Sequence, residues 1–486
     1  MVTPPDSELP REERAGTTRG METPTDDRLE IAIIGCGIIG SVLALGLIQK
    51  NIRVKVYEQA GTLREIGAGI AFTANARECM SLIDPRIVDC VNAVATANGD
   101  PENPNNNMQF IDGYTHTIGE DDMKGKILYK LAAGPREFEG CHRAHFLEEV
   151  MKLMPDGVVQ LSKRLESIEE PCSDKLVLTF SDGTCTIADA GTYIPFPLQG
   201  LGNYQLTQAI PLVIGCDGIK SRVREIILGK DNPASYPHYT HKVAFRGLVP
   251  MDEAIAKLRD YRARNQHMYG GPGAHVLHFP VAKQKLMNVV AFVDDPNEWP
   301  LHRAMSQPAT KCEVAAAFEG WGPTVRSIID LLPPELEKWA VFDSFDHPAP
   351  TYSRGRVCIA GDAAHASSPH HGAGAGIGIE DALALSVLLE CVQKSCRTST
   401  GNRWRALERA FSVFTDVRHE RSQWLVRSSR EACEIYEWND SKCGADMTKG
   451  HEEITRRSHK IWYFDIQDMI QKLEEGYSRE MGLGEN

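Results

Sequence analysis

Glycines near the start of the chain have the spacing of a phosphate-binding turn. The stretch IAIIGCGIIG places Gly35, Gly37 and Gly40 directly after a short apolar run and at the start of a helical pattern. In such a G-x-G-x-x-G turn the first glycine permits the sharp bend and the second lets the backbone approach a pyrophosphate. The third allows the helix to pack closely on the strand. The sequence therefore predicts that a dinucleotide binds at this turn.

An acidic residue ends the next strand-like run, IRVKVYE, at the distance along the chain that such a site needs. This residue is Glu58, whose carboxylate can accept hydrogen bonds from the two hydroxyls of a ribose. Glutamate rather than arginine disfavours a 2′-phosphate on that ribose. This turn alone leaves a nicotinamide dinucleotide and FAD both open as the ligand.

A second glycine-rich stretch, GDAAHASSPHHGAGAGIGIEDA, lies far along the chain at residues 361–382. Asp362 follows the apolar run VCIAG, where its carboxylate can bond a ribityl or ribose hydroxyl. The glycines that follow leave backbone N–H groups uncovered at the start of a helix, which favours an anion. They are Gly372, Gly374, Gly376 and Gly378. The stretch predicts a second contact with a phosphate or a flavin.

The same stretch also raises the alternative of a metal site. His365, His370 and His371 lie close together in it. No carboxylate pair or cysteine completes a ligand set there, and a glycine-rich backbone suits phosphate or flavin better than a metal. The sequence therefore predicts no metal ion.

A third stretch, PLVIGCDGIKSRVRE, places Asp217 and Gly218 at the end of an apolar strand. Ser221, Arg222 and Arg224 follow at near-helical spacing. Without context, a strand that ends in a turn closed by an aspartate cap is a serious alternative to a binding motif.

Composition excludes several classes of protein. The 486 residues carry a formal net charge of −13 and no dense Lys/Arg run, so a nucleic-acid or anionic-membrane surface is not expected. No unbroken apolar run reaches the ~18 residues of a membrane span. The 13 cysteines include no Cys-x-x-Cys pair, which favours a reducing, cytoplasmic setting. Residues 1–27 are polar and proline-rich and predict a disordered tail rather than a signal peptide.

The pattern of apolar residues changes between the two glycine-rich stretches. The first stretch opens a βαβ unit, and VCIAG has the apolar character of a strand buried in a parallel sheet. Residues 242–293 alternate at strand length, which predicts an antiparallel sheet and hence a second domain. The chain beyond residue 400 is helical and charged. Residues 191–210 show no period and are either a long surface loop or a peculiarity of this sequence.

In their order along the chain, these stretches resemble the FAD-dependent aromatic hydroxylases, the para-hydroxybenzoate and salicylate hydroxylase-like flavoprotein monooxygenases. The resemblance covers nearly all of the chain after the tail. It implies that both glycine-rich stretches hold one FAD: GCGIIG with Glu58 on the ADP half, and the second stretch on ribityl and pyrophosphate through Asp362, Gly372, Ala375 and Gly376. CDGIKSRVR resembles the family's DG motif and implies that Asp217 serves flavin and a transient NADH or NADPH. REIGAGIAFTANA and GCHRAHF imply flavin contacts by Gly69, Ala71 and Arg143.

The resemblance also implies the fold class and the domains. The fold class is α/β, with a Rossmann-like FAD-binding domain, an inserted antiparallel β-sheet substrate domain and a helical C-terminal region. The FAD-binding domain is discontinuous and comprises residues 28–100, 138–235 and 343–395. The substrate domain comprises residues 101–137 and 236–342, and the helical region residues 396–486, which offers surface for a homodimer.

Within the family, the chain most resembles fungal polyketide phenol hydroxylases of the tropolone, azaphilone and sorbicillinoid type. HYTHKVAFRGL, PVAKQKLMNVVAFVDDPNEWP and RSHKIWYFD carry this likeness. It implies that Arg246 holds a substrate phenolate. A tyrosine often assists that arginine, but Phe279 stands at the matching position and is equally well explained as pocket wall. Ala373 and Ile377 stand where relatives often have glutamine.

The implied activity is hydroxylation, with possible dearomatisation, of a phenolic polyketide by NADH or NADPH and O2. A salicylate-like hydroxylase that yields a catechol is the alternative enzyme. A nucleotide-sensing protein without catalysis is the alternative from another class, and the intact Asp362, Arg143 and glycine loops disfavour it.

Overall fold

The computed structural model describes residues 29–62, 69–97, 106–115, 129–132, 139–172, 175–187, 211–299, 304–398 and 403–482. The tail at residues 1–27, the loop at residues 191–210 and part of the stretch REIGAGIAFTANA lie outside these ranges.

The strands follow one another along the chain in this order: β1 (Glu30–Ile34), β2 (Arg53–Tyr57), β3 (Gly69–Phe72), β4 (Asn106–Asp112), β5 (Tyr129–Ala132), β6 (Glu139–His142), β7 (Val159–Gln160), β8 (Leu165–Cys172), β9 (Lys175–Phe180), β10 (Cys185–Ile187), β11 (Pro211–Gly215), β12 (His238–Pro250), β13 (His267–Gly271), β14 (Ala274–Val281), β15 (Leu286–Asp294), β16 (Ser306–Thr310), β17 (Glu335–Asp343), β18 (Ser353–Arg354) and β19 (Val357–Ile359). The helices are α1 (Ile38–Gln49), α2 (Ala74–Ile83), α3 (Pro85–Val94), α4 (Arg143–Met151), α5 (Arg222–Leu228), α6 (Met251–Leu258), α7 (Asp260–Arg264), α8 (Lys311–Ala317), α9 (Pro323–Asp330), α10 (Asp362–His365), α11 (Gly374–Thr398), α12 (Arg403–Tyr436), α13 (Met447–Trp462) and α14 (Ile466–Glu480).

The first sheet has the strand order β18-β19-β11-β1-β2-β7, and β19, β11, β1, β2 and β7 run parallel. All five residues of β1 are buried, because helices including α1 and α5 pack beside this sheet. Three strands from distant parts of the chain, β1, β11 and β19, are neighbours in it. Their carboxyl ends share one edge, so the glycine-rich turns that follow β1 and β19 meet there.

The second sheet has the strand order β16-β17-β12-β15-β14-β13-β4-β5 and is antiparallel apart from the β13–β4 pair. Side chains alternate between its faces. One face, with Phe245, Val276 and Val289, packs in a core together with helices α6, α8 and α9. The other face, with Arg246, Leu277 and Val290, lines a cavity.

The C-terminal helices connect the two sheets. The 34-residue helix α12 packs along α11 at one end and reaches the second sheet at the other, where the rings of Tyr436 and Phe110 lie 5.5 Å apart. The predicted fold class is confirmed, including the inserted antiparallel sheet and the helical C-terminal region. The domain limits stay predictions. No helix in the described part of the chain is both long and apolar enough to cross a membrane.

Candidate active site

A cavity of about 430 Å³ lies between the glycine-rich edge of the first sheet and the open face of the second. Residues predicted from the sequence line it from both sides: Gly37, Gly69, Ala71, Arg143, Asp362, Gly372 and Ala375 on one side, and Arg246 and Phe279 on the other. Helices α12 and α13 close it with Tyr436, Ser458 and Trp462. Folding therefore brings the two glycine-rich stretches and the second sheet to one site.

The three glycines of the first turn differ in what an added side chain would contact. Gly35 has a φ of +98°, and a Cβ there would lie 2.4 Å from the carbonyl oxygen of Cys216. A Cβ on Gly40 would lie 2.0 Å from the carbonyl oxygen of Gly35. At Gly37 the nearest atom to such a Cβ is Nη2 of Arg143, at 3.6 Å. Gly35 and Gly40 are thus required by packing, whereas Gly37 leaves open space on the cavity side.

That open space fits a pyrophosphate. Gly37 immediately precedes α1, whose first turn contains only Ile38, Ile39 and Gly40, so no carboxylate opposes an anion there. The helix N-terminus and the guanidinium of Arg143 are both favourable for negative charge. These residues would hold the pyrophosphate of FAD.

Glu58 lies beside the same turn rather than in the cavity. Its Oε2 accepts a hydrogen bond from the backbone N–H of Cys36 at 2.7 Å, and its Oε1 accepts one from Ala60 at 2.8 Å. The carboxylate is partly exposed, and its oxygens keep lone pairs for further donors. This placement fits the predicted ribose contact.

The second glycine-rich stretch meets the first through Ile39. A Cβ on Gly361, whose φ is +62°, would lie 2.9 Å from Cγ1 of Ile39, and one on Gly378 would lie 2.5 Å from its Cδ1. The carboxylate of Asp362 is exposed and faces the cavity at the start of α10. Gly376 lies within α11 against Ala76 and does not line the cavity, so its absent side chain serves helix packing.

Ala373 and Ile377, the two departures from the family pattern, have different surroundings. Ala373 lines the cavity, whereas Ile377 is fully buried in a cluster with Leu425 and Trp462. A glutamine at the second position would meet apolar side chains.

A buried charge network behind this stretch was missed by the sequence analysis. Asp381 accepts the backbone N–H of Gly361 at 3.0 Å, bonds Nε2 of His365 at 2.5 Å, and pairs with Nε of Arg418 on α12 at 2.9 Å. Burial by itself raises the pKa of Asp381, but the charges of His365 and Arg418 outweigh it and hold that pKa at about 2. The neighbouring Glu380 pairs with Arg418 at 2.8 Å. These groups fix the start of the second stretch on α12.

The carboxylate of Asp217 points to α5 rather than into the cavity. It accepts hydrogen bonds from the Ser221 hydroxyl at 2.5 Å and from the backbone N–H groups of Arg222 and Val223 at 2.7 and 3.1 Å. Burial raises its pKa above the usual value. The side chain therefore acts as a cap on the helix, and Gly218 beside it, with a φ of +78°, lines the cavity. The predicted cofactor contact of Asp217 stays a prediction.

Arg246 lies on β12 with its side chain on the cavity face of the second sheet. Its guanidinium lies over the ring of Trp339, 5.3 Å from the centroid, and its Nε is buried without a hydrogen-bond partner among the described residues. Burial lowers the pKa of Arg246, and no carboxylate counteracts that effect. The cation is thus partly desolvated and forms no ion pair with a described carboxylate, although Glu337 is its register partner on β17.

Phe279 on β14 forms the wall where the second sheet meets the β3–β6 pair. A Cβ on Gly69 would lie 2.8 Å from Cζ of Phe279, and one on Gly140 would lie 3.4 Å from its Cδ2. The phenyl ring fills space that these glycines leave. This geometry favours a wall role, and the predicted catalytic role of Phe279 stays untested.

The arrangement is that expected of a flavoprotein: two glycine-rich turns at one edge of a parallel sheet face a cavity that an antiparallel sheet closes from the other side. The FAD binding domain family matches residues 205–400. The chain is 48% identical to the FAD-dependent monooxygenase pigN of Monascus ruber, over 94% of this chain and 99% of that one. It is 45% identical to the salicylate hydroxylase asL1 of Sarocladium schorii, over 94% of each.

Solved structures agree with this assignment. A salicylate hydroxylase in a substrate complex matches with a TM-score of 0.74 and 29% identity, over 92% of this chain and 98% of that one. HpxO of Klebsiella pneumoniae, solved with FAD and uric acid, shares the fold with a TM-score of 0.64 at 22% identity, over 92% and 97% of the chains. The chain belongs to the FAD-dependent monooxygenases. It is similar to fungal members of that family, including pigN and asL1. The predicted family and its FAD are confirmed.

Proposed function

We propose that this monooxygenase hydroxylates a phenolic polyketide, using NADH or NADPH as the reductant and O2 as the oxygen source. The balanced reaction takes phenol, O2, NAD(P)H and a proton to the hydroxylated product, NAD(P)⁺ and water. The observation that carries the proposal is Arg246, a cation on the cavity wall that forms no ion pair with a described residue.

A guanidinium whose Nε is buried without a partner is costly, because burial removes water that nothing replaces. A phenolate oxygen would supply the missing negative charge and accept the N–H donors. By favouring the ionised form, Arg246 lowers the pKa of the bound phenol. The apolar side chains around it, including Leu277, Val290 and Met268, suit the faces of an aromatic ring.

The bound FAD would supply the redox chemistry, by passing electrons from the nicotinamide to O2. The part of this chain is to ionise and place the ring. An ionised oxygen raises electron density at the ortho carbon, which makes that carbon the site of oxygen transfer. If the carbon bears a carbon substituent, the product is a dearomatised hydroxy-dienone, since no proton is there to be lost. If it bears hydrogen, the product is a catechol.

A salicylate-like acid is the second candidate, because its carboxylate would also neutralise Arg246. The likeness to salicylate hydroxylases in sequence and in structure supports this alternative. The two candidates differ in what must be ionised. A carboxylate is already ionised near neutral pH. A phenol is ionised there only if Arg246 lowers its pKa.

The test begins with the flavin-loaded protein under anaerobic conditions. NADPH or NADH is added with 2,4-dihydroxy-3,6-dimethylbenzaldehyde, with salicylate, or with neither, and flavin reduction is followed at 450 nm. Air is then admitted, and the products are identified by mass spectrometry. The proposal expects reduction accelerated by the phenol and a product heavier by one oxygen. Turnover of salicylate alone would replace it with the second candidate, and no oxygenated product would contradict both.

A further inference from the structure

The end of the cavity away from Arg246 contains a histidine whose ring is oriented by a buried carboxylate. His275 on β14 is fully buried, and its Nδ1 lies 2.9 Å from Oε1 of Glu437, which is fully buried as well. The ring stacks on Phe292 at 4.5 Å. Its Nε2 is buried without a hydrogen-bond partner in the described part of the chain, and the residue lines the cavity.

The protonation of this histidine follows from its partner. Burial by itself raises the pKa of Glu437, but His275 and Lys242 outweigh it and leave the pKa below its usual value, so the group is a carboxylate. A carboxylate can only accept hydrogen bonds, so Nδ1 of His275 must carry the proton. The ammonium of Lys242 already contacts Glu437 and supplies the opposite charge. With Nδ1 as the donor to Glu437, Nε2 is the ring atom of His275 that can present a lone pair to the cavity.

His370 completes this end of the cavity. Its ring lies 5.2 Å from that of His275, and its Nδ1 also has no partner among the described residues. Burial is the main cause that lowers the pKa of His370 well below its usual value, and the charge of Lys242 adds to it. The lowered pKa leaves His370 uncharged at neutral pH, so its ring and the Nε2 of His275 offer a hydroxyl two unpartnered nitrogens.

The strand register separates this acceptor from Arg246. Arg246 pairs with Val290, and Val290 pairs with Leu277, which lies two residues from His275 on the same face of β14. Two strand spacings and two residues put the backbones about 12 Å apart. Both side chains extend into the cavity and shorten this distance. An aromatic ring with oxygen substituents spans the gap that is left between Arg246 and His275.

We propose that His275, held by Glu437 and Lys242, is a specificity-determining residue that accepts a hydrogen bond from a second, un-ionised hydroxyl of the substrate. The inference rests on the proposed function and deepens it: Arg246 selects one oxygen as an anion, and His275 selects another as a donor. A ring that lacks the second hydroxyl leaves Nε2 buried and unpaired, which is the strongest basis for rejecting an analogue.

A metal ion is the competing occupant. His275, His370 and Cys433 place three potential ligand atoms within 4.8 Å of one another. Lys242 opposes a cation here, because its ammonium already contacts the carboxylate of Glu437. Burial, with the charge of Glu437, raises the pKa of the Cys433 thiol well above its usual value, so the soft ligand is protonated.

The experiment measures ligand dissociation constants on the FAD-loaded protein from the change in flavin absorbance, without turnover. The probes are 2,4-dihydroxy-6-methylbenzaldehyde and its two analogues that each lack one hydroxyl. The variants are His275→Phe, which removes the acceptor, and His275→Gln, which can restore one. Glu437→Gln removes the orienting charge. Glu434→Gln makes the same change one turn earlier on α12, at a carboxylate 4.0 Å from Lys242 that is not bonded to His275.

The preference for the dihydroxy probe over the better analogue is the readout, because the acidities of the probes cancel when enzymes are compared. We expect at least a tenfold preference in the wild type and in Glu434→Gln, and less than a twofold preference in His275→Phe. His275→Gln should regain part of it, and Glu437→Gln should fall between.

An equal preference in wild type and His275→Phe would overturn the inference while leaving the proposed function intact. Equal binding of the dihydroxy probe and its analogues by the wild type would overturn it without any variant. Failure of all the probes to bind the wild type would contradict the proposed function itself. Stoichiometric zinc or copper in the purified protein, lost with His275→Phe, would replace the hydroxyl by a metal.

Discussion

Arg418 on α12 and Asp381 on α11 form a fully buried ion pair, with Nε and Oδ1 2.9 Å apart. The other oxygen of Asp381 accepts the backbone N–H of Gly361, the glycine that precedes Asp362. The pair thus connects the long C-terminal helix to the turn that faces the cavity. The helical region therefore braces the cavity wall, and we expect it to affect how the cofactor binds.

Asp381→Asn should lower both the stability of the protein and its affinity for FAD. The substitution leaves Arg418 with less compensating charge in the interior, and such a loss costs about 3–5 kcal/mol. Thermal unfolding and the FAD content after dialysis measure the two effects. Asp416→Asn, the same change at an exposed position on α12, is the control and should change neither. Full FAD retention by Asp381→Asn would contradict the connection.

Acid should weaken the protein through the same residue. The folded pKa of Asp381 is about 2, below the unfolded value of ~3.9, so its contribution is complete above pH 4 and is lost as the pH falls towards 2. Between pH 5 and pH 3 the wild type should lose about 1 kcal/mol more than Asp381→Asn. Urea titrations at pH 5, 4 and 3 measure the difference, and parallel curves would contradict it.

Alanine at Gly35 and at Gly37 should separate folding from cofactor binding. Gly35→Ala places a methyl 2.4 Å from a carbonyl oxygen at a φ of +98°, so the Tm should fall even without FAD. Gly37→Ala meets nothing nearer than 3.6 Å and should change the Tm of the FAD-free protein little. Its methyl occupies the space assigned to the pyrophosphate, so we expect FAD to bind at least tenfold more weakly. Equal effects of the two substitutions on both measurements would refute this distinction.

Phe279 and Gly69 should be energetically coupled. Gly69→Ala brings a methyl within 2.8 Å of the Phe279 ring and should destabilise the protein by about 1–3 kcal/mol. Phe279→Leu shortens the side chain, so the double variant should be more stable than the sum of the two single changes. A double-mutant cycle on thermal or urea unfolding measures the coupling, and additive effects would contradict the wall role.

The sequence revealed the parts of the site that recur as local patterns. The glycine turns, Glu58 and Asp362 follow strands in a fixed order, and Arg246 was indicated by family resemblance. The Asp381–Arg418 pair and the His275–Glu437 pair join helices and strands far apart in the chain, where no local spacing records the contact. Asp217 shows a different limit of sequence analysis. A cofactor-binding motif and a helix cap can have the same residues, so the sequence alone could not distinguish them.

The central claim is that Arg246 binds the substrate as a phenolate, and the ionisation of a bound phenol tests it most directly. The ultraviolet difference spectrum of 2,4-dihydroxy-6-methylbenzaldehyde is recorded on the FAD-loaded wild type and on Arg246→Met, at a pH one unit below the pKa of the free phenol. Methionine keeps most of the volume and removes the charge, so the variant should be as stable as the wild type or more stable. We predict the phenolate spectrum on the wild type, and on the variant the neutral spectrum with about 10- to 100-fold weaker binding. The same spectrum and the same affinity on both proteins would contradict the account.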